Sequence, residues 1–593
     1  MQVRHLHIQN FRGISEGEIL LPKHAVLIGD NNIGKTTILE AIDLVLGPDR
    51  LNRVPPVDEH DFYQGKYTCD KMGILPKITI EVTITDLSEE QMRRFGDYIE
   101  WWDIQKNSLY NDPDPAGLDT ESITSALRIT FIGNYDAEED DFKGKTYYTR
   151  SLIEDDTPQT FSKTDKQYCG FLYLRSLRTG SRALSLERGS LLDIILRLKE
   201  IRPKMWEAVL DKLSSFTVAS DPDFNVSGVL QSINVSLKKY VPKEWGVEPH
   251  LKVSKLTREH LREVITAFIT TDNGEYAVPF YRQGTGTINM LVLAMLSQIA
   301  EDKQNVIFAM EEPEIAIPPY TQKRIVDGIR NLSSQSIFTS HSPYVIEEFT
   351  PEETIVLSRD SNGRLKQTPI VLPDSVKLKR YRQEFRTRFC EGLLARRVLI
   401  AEGATEATSL PAVARRLAEL NPKTYVSFET LGICTIDAGS EDKIADLAEL
   451  YRHLGKKTFA VCDKQSDENR ALIENQVDKL FMHEEKGFED LVLKNTTKDA
   501  LIRFADLIDW PPHILTKYPN PKDKLVEALK EYFIWTKGRW GIADFLVQCS
   551  ETEIPDWIRK MCTTLKAICE SSPAQEYQGN IIGNHDEEVS DSD

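Results

Sequence analysis

Residues 29–36 read Gly-Asp-Asn-Asn-Ile-Gly-Lys-Thr, a complete G-x-x-x-x-G-K-[ST] phosphate-binding loop. The apolar residues 25–28 precede this loop, and a helical pattern over residues 37–42 follows it. A strand before the loop and a helix after it are the context in which this motif binds nucleotide. The loop amides and the helix N-terminus would then cradle phosphate oxygens. The motif therefore predicts an α/β fold that binds ATP.

The chemistry of the loop assigns individual roles. We expect the Lys35 ammonium to neutralise the β- and γ-phosphate oxygens and the Thr36 hydroxyl to ligate Mg²⁺. The predicted nucleotide-binding residues of this loop are Gly29, Asn31, Asn32, Gly34, Lys35, Thr36 and Thr37.

Two later strand patterns end in polar residues. Residues 305–310 are mostly apolar and lead into Glu311 and Glu312. Such an arrangement places one carboxylate, here Glu311, on Mg²⁺ and the next, Glu312, against the attacking water as the base. Residues 336–339 lead into a turn that contains His341, whose imidazole can sense the γ-phosphate. Together with the phosphate loop, this succession predicts an ABC-type ATPase.

Residues 281–289 contain Gly284 and Gly286 and precede an apolar helical pattern, as the signature loop of ABC ATPases does. That loop donates backbone N–H groups to the nucleotide of a second subunit, so it predicts a homodimer or higher homo-oligomer. The order of its residues departs from the usual Ser-Gly-Gly-Gln. In residues 171–178, Arg175 is a weaker candidate for a phosphate contact, with a structural salt bridge as the equal alternative.

Composition limits the class of protein. No apolar run approaches the roughly 20 residues that cross a bilayer, and the N-terminus lacks the apolar core of a signal peptide. We expect a cytoplasmic protein with no membrane partner. The formal charge of −19 argues against a surface coated all over by nucleic acid but leaves room for a local cationic channel. Basic residues concentrate in 377–397, where a solvated helix face is the equal alternative.

A second group of acids follows two other strand patterns. Residues 397–401 lead into a carboxylate, and residues 457–462 lead into another. Open α/β sheets place their sites at the carboxyl ends of strands, and hard carboxylate oxygens suit Mg²⁺ or Mn²⁺. Such ions could activate water and stabilise a leaving 3′ oxygen during DNA cleavage. The candidate acids are Glu402, Glu406, Asp463, Asp467 and Glu489.

Over residues 1–550, the motifs above resemble the OLD (overcoming lysogenization defect) family of ATP-dependent nucleases. The resemblance implies that Glu402 and Asp463 bind metal and that Glu489 and Lys537 match the later acidic and lysine positions of the family. The family's second motif is usually Asp-x-Asp, whereas this chain has Gln465 at the second acidic position. The second acid is either missing or has moved to Asp467.

The resemblance also implies a domain order: an ABC ATPase head interrupted by a helical dimerisation domain, then a Toprim α/β domain. It implies a DNA endonuclease that defends against phage or other foreign DNA, with a helicase or a reverse-transcriptase/RNA partner encoded nearby. The predicted boundaries are 1–184 and 261–375 for the ATPase, 185–260 for the insert, 376–570 for the Toprim domain and 571–593 for a disordered acidic tail.

Other protein classes account for less of the sequence. A chromosome-organising SMC ATPase needs long coiled-coil arms, and no heptad pattern lies between the phosphate loop and Glu311. A topoisomerase or primase would explain Glu402 and Asp463 but not the ATPase motifs. An ATP-gated DNA-binding or scaffold protein with a degenerate Toprim site stays open as the alternative, because Gln465 replaces an acid.

Overall fold

The structure, a computed structural model, describes residues 1–48, 50, 55–68, 75–110, 122–174, 186, 190–199, 202–214, 231–233, 235, 267–270, 277–302, 306–315, 318–373, 386–537 and 540–571. The chain divides into two compact units, Met1–Ile370 and Val371–Asp593.

Fifteen strands lie in the described part of the first unit. They are β1 (Gln2–Phe11), β2 (Ile14–Leu20), β3 (His24–Ile28), β4 (Ile78–Thr85), β5 (Glu100–Asp103), β6 (Ser108–Leu109), β7 (Ile123–Asp136), β8 (Asp141–Tyr148), β9 (Phe171–Leu174), β10 (Phe268–Thr270), β11 (Ala277–Pro279), β12 (Ile307–Glu311), β13 (Gln335–Thr339), β14 (Thr354–Arg359) and β15 (Arg364–Thr368).

Thirteen of these strands form one sheet in the order β6-β5-β7-β4-β1-β2-β15-β14-β3-β13-β12-β9, with β8 paired to β7. The strands from β6 to β2 pair in antiparallel fashion. The strands β14, β3, β13, β12 and β9 are parallel. All five residues of β3, β12 and β13 are buried, as expected of parallel strands covered on both faces.

The helices described in this unit are α1 (Lys35–Leu46), α2 (Glu89–Phe95), α3 (Thr149–Glu154), α4 (Lys163–Cys169), α5 (Leu191–Leu198), α6 (Arg202–Ser214), α7 (Thr285–Asp302), α8 (Pro319–Leu332) and α9 (Pro343–Ile346). Helix α1 follows the phosphate loop and packs on the sheet through Ile38, Leu39, Ile42 and Val45, all fully buried. This packing anchors the loop between a buried strand and a buried helix.

β1 and β2 form an antiparallel pair around the turn at Arg12. β10 and β11 also form an antiparallel pair. Within the predicted insert 185–260, the described residues include α5 and α6, while most of the range lies outside the described residues, as do the acidic tail, Arg175 and basic residues 377–382. The insert and its role in dimerisation stay predictions.

The second unit contains a four-stranded parallel sheet in the order β17-β16-β18-β19. Its strands are β16 (Arg397–Ala401), β17 (Ile433–Asp437), β18 (Lys457–Cys462) and β19 (Lys479–Met482). The helices are α10 (Arg386–Leu394), α11 (Ala404–Leu420), α12 (Ile444–His453), α13 (Asp467–Gln476), α14 (Phe488–Asn495), α15 (Lys498–Ala505), α16 (Pro512–Lys517), α17 (Leu525–Trp535), α18 (Gly541–Gln548) and α19 (Asp556–Ser571).

The two sheets and the helices around them confirm the predicted α/β fold class. The division after Ile370 lies near the predicted end of the ATPase at residue 375. No helix in the described ranges is long and apolar enough to span a membrane.

Candidate functional site

The first candidate site lies where β3, β13 and β12 end next to one another in the parallel part of the large sheet. The phosphate loop follows β3, the Ser340-His341 turn follows β13, and Glu312 follows β12. Glu311 pairs with Thr339 in the ladder, and the Glu312 amide donates to the Thr339 carbonyl at 2.9 Å. β13 also pairs with β3, which sets Thr339 beside Leu27 although the two are 312 positions apart in the sequence.

The phosphate loop requires an unusual backbone at Gly29. Its φ is +149°, and a Cβ there would lie only 2.6 Å from the Leu357 carbonyl oxygen. A side chain would therefore collide with the backbone of the neighbouring strand. Asn32 also has a positive φ, 64°, which Asn tolerates better than most residues. The side chains of Asn31, Asn32 and Thr36 are exposed, so the loop is accessible to a ligand.

Lys35 lies at the centre of the loop and is only 8% exposed. Its Nζ donates to the carbonyl oxygens of Gly29, at 2.8 Å, and Asp30, at 2.9 Å. Burial lowers the Lys35 pKa, while the nearby carboxylates of Asp30, Glu312 and Glu314 act to raise it. The ammonium therefore shares one pocket with the acids at the end of β12.

Glu311, the last residue of β12, and the two acids that follow it have different environments. Glu311 is buried and accepts a hydrogen bond from the Tyr173 hydroxyl. Glu312 has a φ of 43°, a left-handed conformation that is rare outside Gly and marks a constrained turn. Glu314 accepts hydrogen bonds from the His341 amide, at 2.6 Å, and the Ser340 hydroxyl, at 3.0 Å.

His341 lies beside the same charges. Burial and the Lys35 ammonium lower its pKa, and the carboxylates of Glu312 and Asp30 partly oppose this shift. A neutral imidazole at neutral pH can accept a proton or a hydrogen bond from a phosphate-bound group. Glu314, which sequence reasoning did not assign, orients the His341 backbone. The signal for it was the third acid in Glu311-Glu312-Pro313-Glu314.

The signature-like segment lies outside this cluster of residues. Gly284 is exposed and immediately precedes α7, and Gly286 lies in the first turn of that helix. An exposed helix N-terminus offers free backbone N–H groups to an anion. Its assignment as a nucleotide contact in a second subunit stays a prediction.

The second candidate site lies at the carboxyl edge of the small parallel sheet. Glu402 follows β16, Asp463 follows the adjacent β18, and His483 follows β19. Glu402 Oε2 accepts hydrogen bonds from the Asp463 amide, at 3.0 Å, and from Gln465 Nε2, at 3.1 Å. Two of the predicted acids are thus brought into direct contact by the pairing of their strands.

Glu406 lies in the first turn of α11 and is only 7% exposed. Burial, together with the charges of Asp463, Glu489 and Glu402, raises its pKa to about 7. Burial also raises the Glu402 pKa, with further contributions from Asp463 and Glu441. Repulsion between neighbouring carboxylates raises their pKa values, and a cation between them would relieve it.

A small open space lies between two of the acids. An ideal Cβ on Gly487 would lie 3.2 Å from Glu489 Oε2 and 4.0 Å from Asp463 Oδ2. Glycine at this position leaves the space between the carboxylates unfilled. All the donors around it are hard oxygens, which fit Mg²⁺ or Mn²⁺. No three His, Cys, Asp or Glu side chains in the described part of the chain have the arrangement of a formed metal site, so the fit rests on donor type and open space.

His483 is a residue that sequence reasoning missed. It is 2% exposed, packs edge-on against Trp557 and lies with Nε2 3.0 Å from Asp463 Oδ1. The pair lacks hydrogen-bond geometry, and neither ring nitrogen has a hydrogen-bond partner within the described residues. The available signal was its position directly after a third parallel strand, where the sheet places polar residues.

Lys537 is exposed in the turn between α17 and α18. Thr536 lies close to Gly541, the first residue of α18. A Cβ on Gly541 would overlap the Thr536 hydroxyl. Helix α18 packs along α11, and Arg416 Nε donates to the carbonyl of Cys549 just beyond the end of α18, at 3.4 Å.

The structure does not bring Asp467 to the other acids. It is exposed at the first residue of α13, where Ser466 caps the helix by accepting from the Asn469 amide. Two of the basic residues in 377–397 have contacts within the fold. Arg397 donates to the Cys569 carbonyl at 3.3 Å, and Arg388 pairs with Glu391 at 2.9 Å. These two arginines have structural partners in the fold.

Two family models match the chain, one in each compact unit. Residues 1–169 and 187–346 match the family described as AAA ATPase domain, and residues 393–464 match the Overcoming lysogenization defect protein-like TOPRIM domain. The Old nuclease of Escherichia phage P2 is 20% identical over 507 residues, which cover 80% of each chain.

Solved structures that match this chain include the SMC head bound to the C-winged helix domain of ScpA, at 12% identity and a TM-score of 0.34, covering 63% of this chain and 100% of that one. The SMC head domain from Thermotoga maritima matches at 13% identity and a TM-score of 0.29, with coverage of 63% and 100%. Stu0660 of Streptococcus thermophilus matches at 10% identity and a TM-score of 0.33, with coverage of 83% and 99%.

Proposed function

Because this chain belongs to the OLD family, in which an AAA ATPase domain is joined to a Toprim domain, we propose that it is an ATP-hydrolysing, divalent-metal-dependent DNA endonuclease. The observation that carries the proposal is the hydrogen bond from the Asp463 amide to Glu402 at the carboxyl edge of the parallel sheet, with Asp463 and Glu489 both close to Gly487. Such an edge is where open α/β sheets hold their active sites.

In the ATPase unit, we assign phosphate binding to Lys35 and the loop amides. Thr36 and Glu311 would hold Mg²⁺, and Glu312 would accept the proton of the attacking water. Strand pairing supports these roles, because it sets Glu311 beside Thr339 and joins the Glu312 amide to the Thr339 carbonyl, two residues before His341. His341 would contact the γ-phosphate side of the nucleotide, with its backbone oriented by Glu314.

In the Toprim unit, Glu402, Glu406, Asp463 and Glu489 would hold Mg²⁺ or Mn²⁺. A bound divalent ion there would lower the pKa of a water molecule and neutralise charge that develops on the scissile phosphate. Lys537 would stabilise negative charge on that phosphate through its ammonium. The exposed turn in which Lys537 lies is accessible to DNA.

For the biological role, we propose cytoplasmic action against phage or other foreign DNA, in line with the similarity to a phage-encoded Old nuclease. The signature-like residues Gly284 and Gly286 support a homodimer or higher homo-oligomer in which each copy contacts its partner's nucleotide. The insert 185–260 would form part of that interface. A helicase or reverse-transcriptase/RNA partner is a further proposal from the family resemblance.

Plasmid cleavage tests the proposed function. Purified full-length protein is incubated with supercoiled plasmid in Mg²⁺, Mn²⁺ or Ca²⁺, with and without ATP. We expect nicked or linear product with Mg²⁺ or Mn²⁺. If no metal and nucleotide combination yields a cut, the nuclease proposal fails. The ATP-gated scaffold, which the amide at Gln465 favours, would then become the better account.

Replacing Glu312 with glutamine is expected to slow ATP hydrolysis by about 100-fold or more while ATP binding stays near the wild-type affinity. The amide cannot accept the proton of the attacking water, whereas Glu311 still faces the metal position. Steady-state turnover and equilibrium binding of labelled ATP measure the two effects separately. The exposed Glu352 in the same unit provides the control substitution, Glu352→Gln. Equal losses of binding and turnover would show that the roles of Glu311 and Glu312 are reversed.

Replacing His483 with alanine is expected to weaken Mn²⁺ binding about 10-fold or more, because groups behind a metal ligand fix its orientation. His483 would act on Asp463 in this way, because its Nε2 lies 3.0 Å from Asp463 Oδ1. Titration of Mn²⁺ followed by electron paramagnetic resonance measures the affinity, and circular dichroism checks folding. The matched control is His513→Ala, since His513 is exposed on α16. Wild-type Mn²⁺ affinity in a folded His483→Ala protein would contradict the positioning role.

A further inference from the structure

The Glu314 side chain joins the turn after β12 to the turn after β13. Its two carboxylate oxygens have different partners: Oε1 accepts from the His341 amide at 2.6 Å, and Oε2 accepts from the Ser340 hydroxyl at 3.0 Å. A charged acceptor makes a hydrogen bond roughly twice as strong as a neutral one. Glu314 also lies two residues after Glu312, whose φ of 43° marks a constrained turn. One side chain therefore links the two turns that carry the residues assigned to hydrolysis.

A second set of hydrogen bonds connects this linkage to helix α8. Ser340 Oγ accepts from the Ser342 amide at 3.0 Å, and the Ser342 hydroxyl donates to Gln322 Oε1 at 2.7 Å. Gln322 lies near the start of α8, and its Nε2 donates to the Glu314 carbonyl across 3.5 Å, a long contact that closes a ring. Ser340, Ser342 and Gln322 are all buried. Because a buried polar group that loses its partner costs free energy, the four side chains hold one another in place.

The charge of Glu314 does not serve ATP affinity. Burial lowers the Lys35 pKa, and the Glu314 carboxylate is one of the acids that oppose this shift. A negative charge this near to the phosphate loop repels the phosphates of ATP, so its presence has to bring another benefit. The hydrogen bonds of Glu314 determine where the Glu312 and His341 turns lie relative to each other. Misplacing a reacting group by about 1 Å can reduce a rate about 100-fold, so this alignment matters for turnover.

We propose that Glu314 is a positioning residue for ATP hydrolysis, which holds the Glu312 turn against the His341 turn, and that Gln322 of α8 acts through it. The inference rests on the proposed function, in which Glu312 accepts the proton of the attacking water. It makes the rate of turnover depend on two residues outside the set assigned to nucleotide binding. Loss of either residue is expected to lower kcat while the affinity for ATP is retained.

Glu314→Ala in the full-length protein tests this role. Its kcat for ATP hydrolysis is expected to fall about 100-fold, while the Kd for nucleotide stays within about threefold of the wild type. Phosphate release gives kcat, and isothermal titration with a non-hydrolysable ATP analogue and Mg²⁺ gives Kd. Glu352→Ala, which removes an exposed carboxylate of the same unit, is the control and is expected to keep the wild-type kcat. Wild-type kcat in folded Glu314→Ala, or equal losses of kcat and affinity, would overturn the inference alone. A wild-type protein that releases no phosphate would overturn it together with the proposed hydrolysis.

Substitution of Gln322 gives an independent readout, because Gln322→Ala leaves the Glu314 charge in place. Its kcat is expected to fall about 10-fold at wild-type nucleotide affinity, which is the order expected for one lost hydrogen bond. If Glu314→Ala does not fold, wild-type kcat in Gln322→Ala overturns the inference. The double variant is expected to match Glu314→Ala alone, since Gln322 acts through Glu314. Losses that add in the double variant would show that the two residues act independently and would overturn the role assigned to Gln322.

Discussion

Glu402→Ala is expected to reduce divalent-dependent DNA cleavage by about 1,000-fold or more, because the lost carboxylate is a predicted ligand of the cation that activates water. Glu402 also receives hydrogen bonds from the Asp463 amide and Gln465, so its removal loosens both neighbours. ATP turnover is expected to stay at the wild-type rate, since the ATPase residues belong to the other compact unit. Plasmid nicking and phosphate release from the same preparation measure both activities.

A matched control tests whether the loss of DNA cleavage is specific to the site. Glu419 is exposed near the end of α11, the helix that follows Glu402, and Glu419→Ala removes one negative charge without touching the acid cluster. This variant is expected to cut DNA at the wild-type rate. Full cleavage by folded Glu402→Ala would remove Glu402 from the metal site and would contradict the assignment of the cutting centre to this sheet edge.

Lys35→Ala is expected to weaken ATP binding by about 100-fold or more, because loss of a buried cation that pairs with phosphate costs several kcal/mol. The Lys35 ammonium is 8% exposed and lies among Asp30, Glu312 and Glu314. Without it, these acids would repel the phosphates instead of being balanced by a positive charge. Isothermal titration with ATP and Mg²⁺ measures the affinity, and circular dichroism checks that the loop substitution leaves the fold intact.

The control for charge alone is Lys23→Ala, an exposed lysine just before the same strand. It is expected to bind ATP with wild-type affinity. Unchanged ATP affinity in Lys35→Ala would remove the nucleotide-binding assignment of the loop. Because Lys35 also donates to the carbonyls of Gly29 and Asp30, a change in the stability of the apo protein is expected in addition to the loss of affinity.

Local sequence was sufficient for the elements that carry both sites. The loop around Lys35 and the acids at the end of β12 lie next to buried apolar strands. Such strands can be predicted from short runs of apolar residues. The antiparallel pairing of β1 and β2 was likewise visible, because their apolar residues alternate on either side of a tight turn. Predictions did not include Glu314 or His483, because each joins a site only when the end of its strand lies beside other strand ends in the sheet.

Residue type and spacing within a few turns or strands were enough to identify the phosphate loop, the order of the two α/β units and the acids that follow β16 and β18. Which of those strand ends are neighbours became clear only from the folded sheets. The tertiary structure put Gln465 Nε2 on Glu402, turned Asp463 toward His483 and left Asp467 exposed on α13. The physical reason is that strand order and side-chain orientation depend on pairing between distant segments, and that pairing has no local signature in the chain.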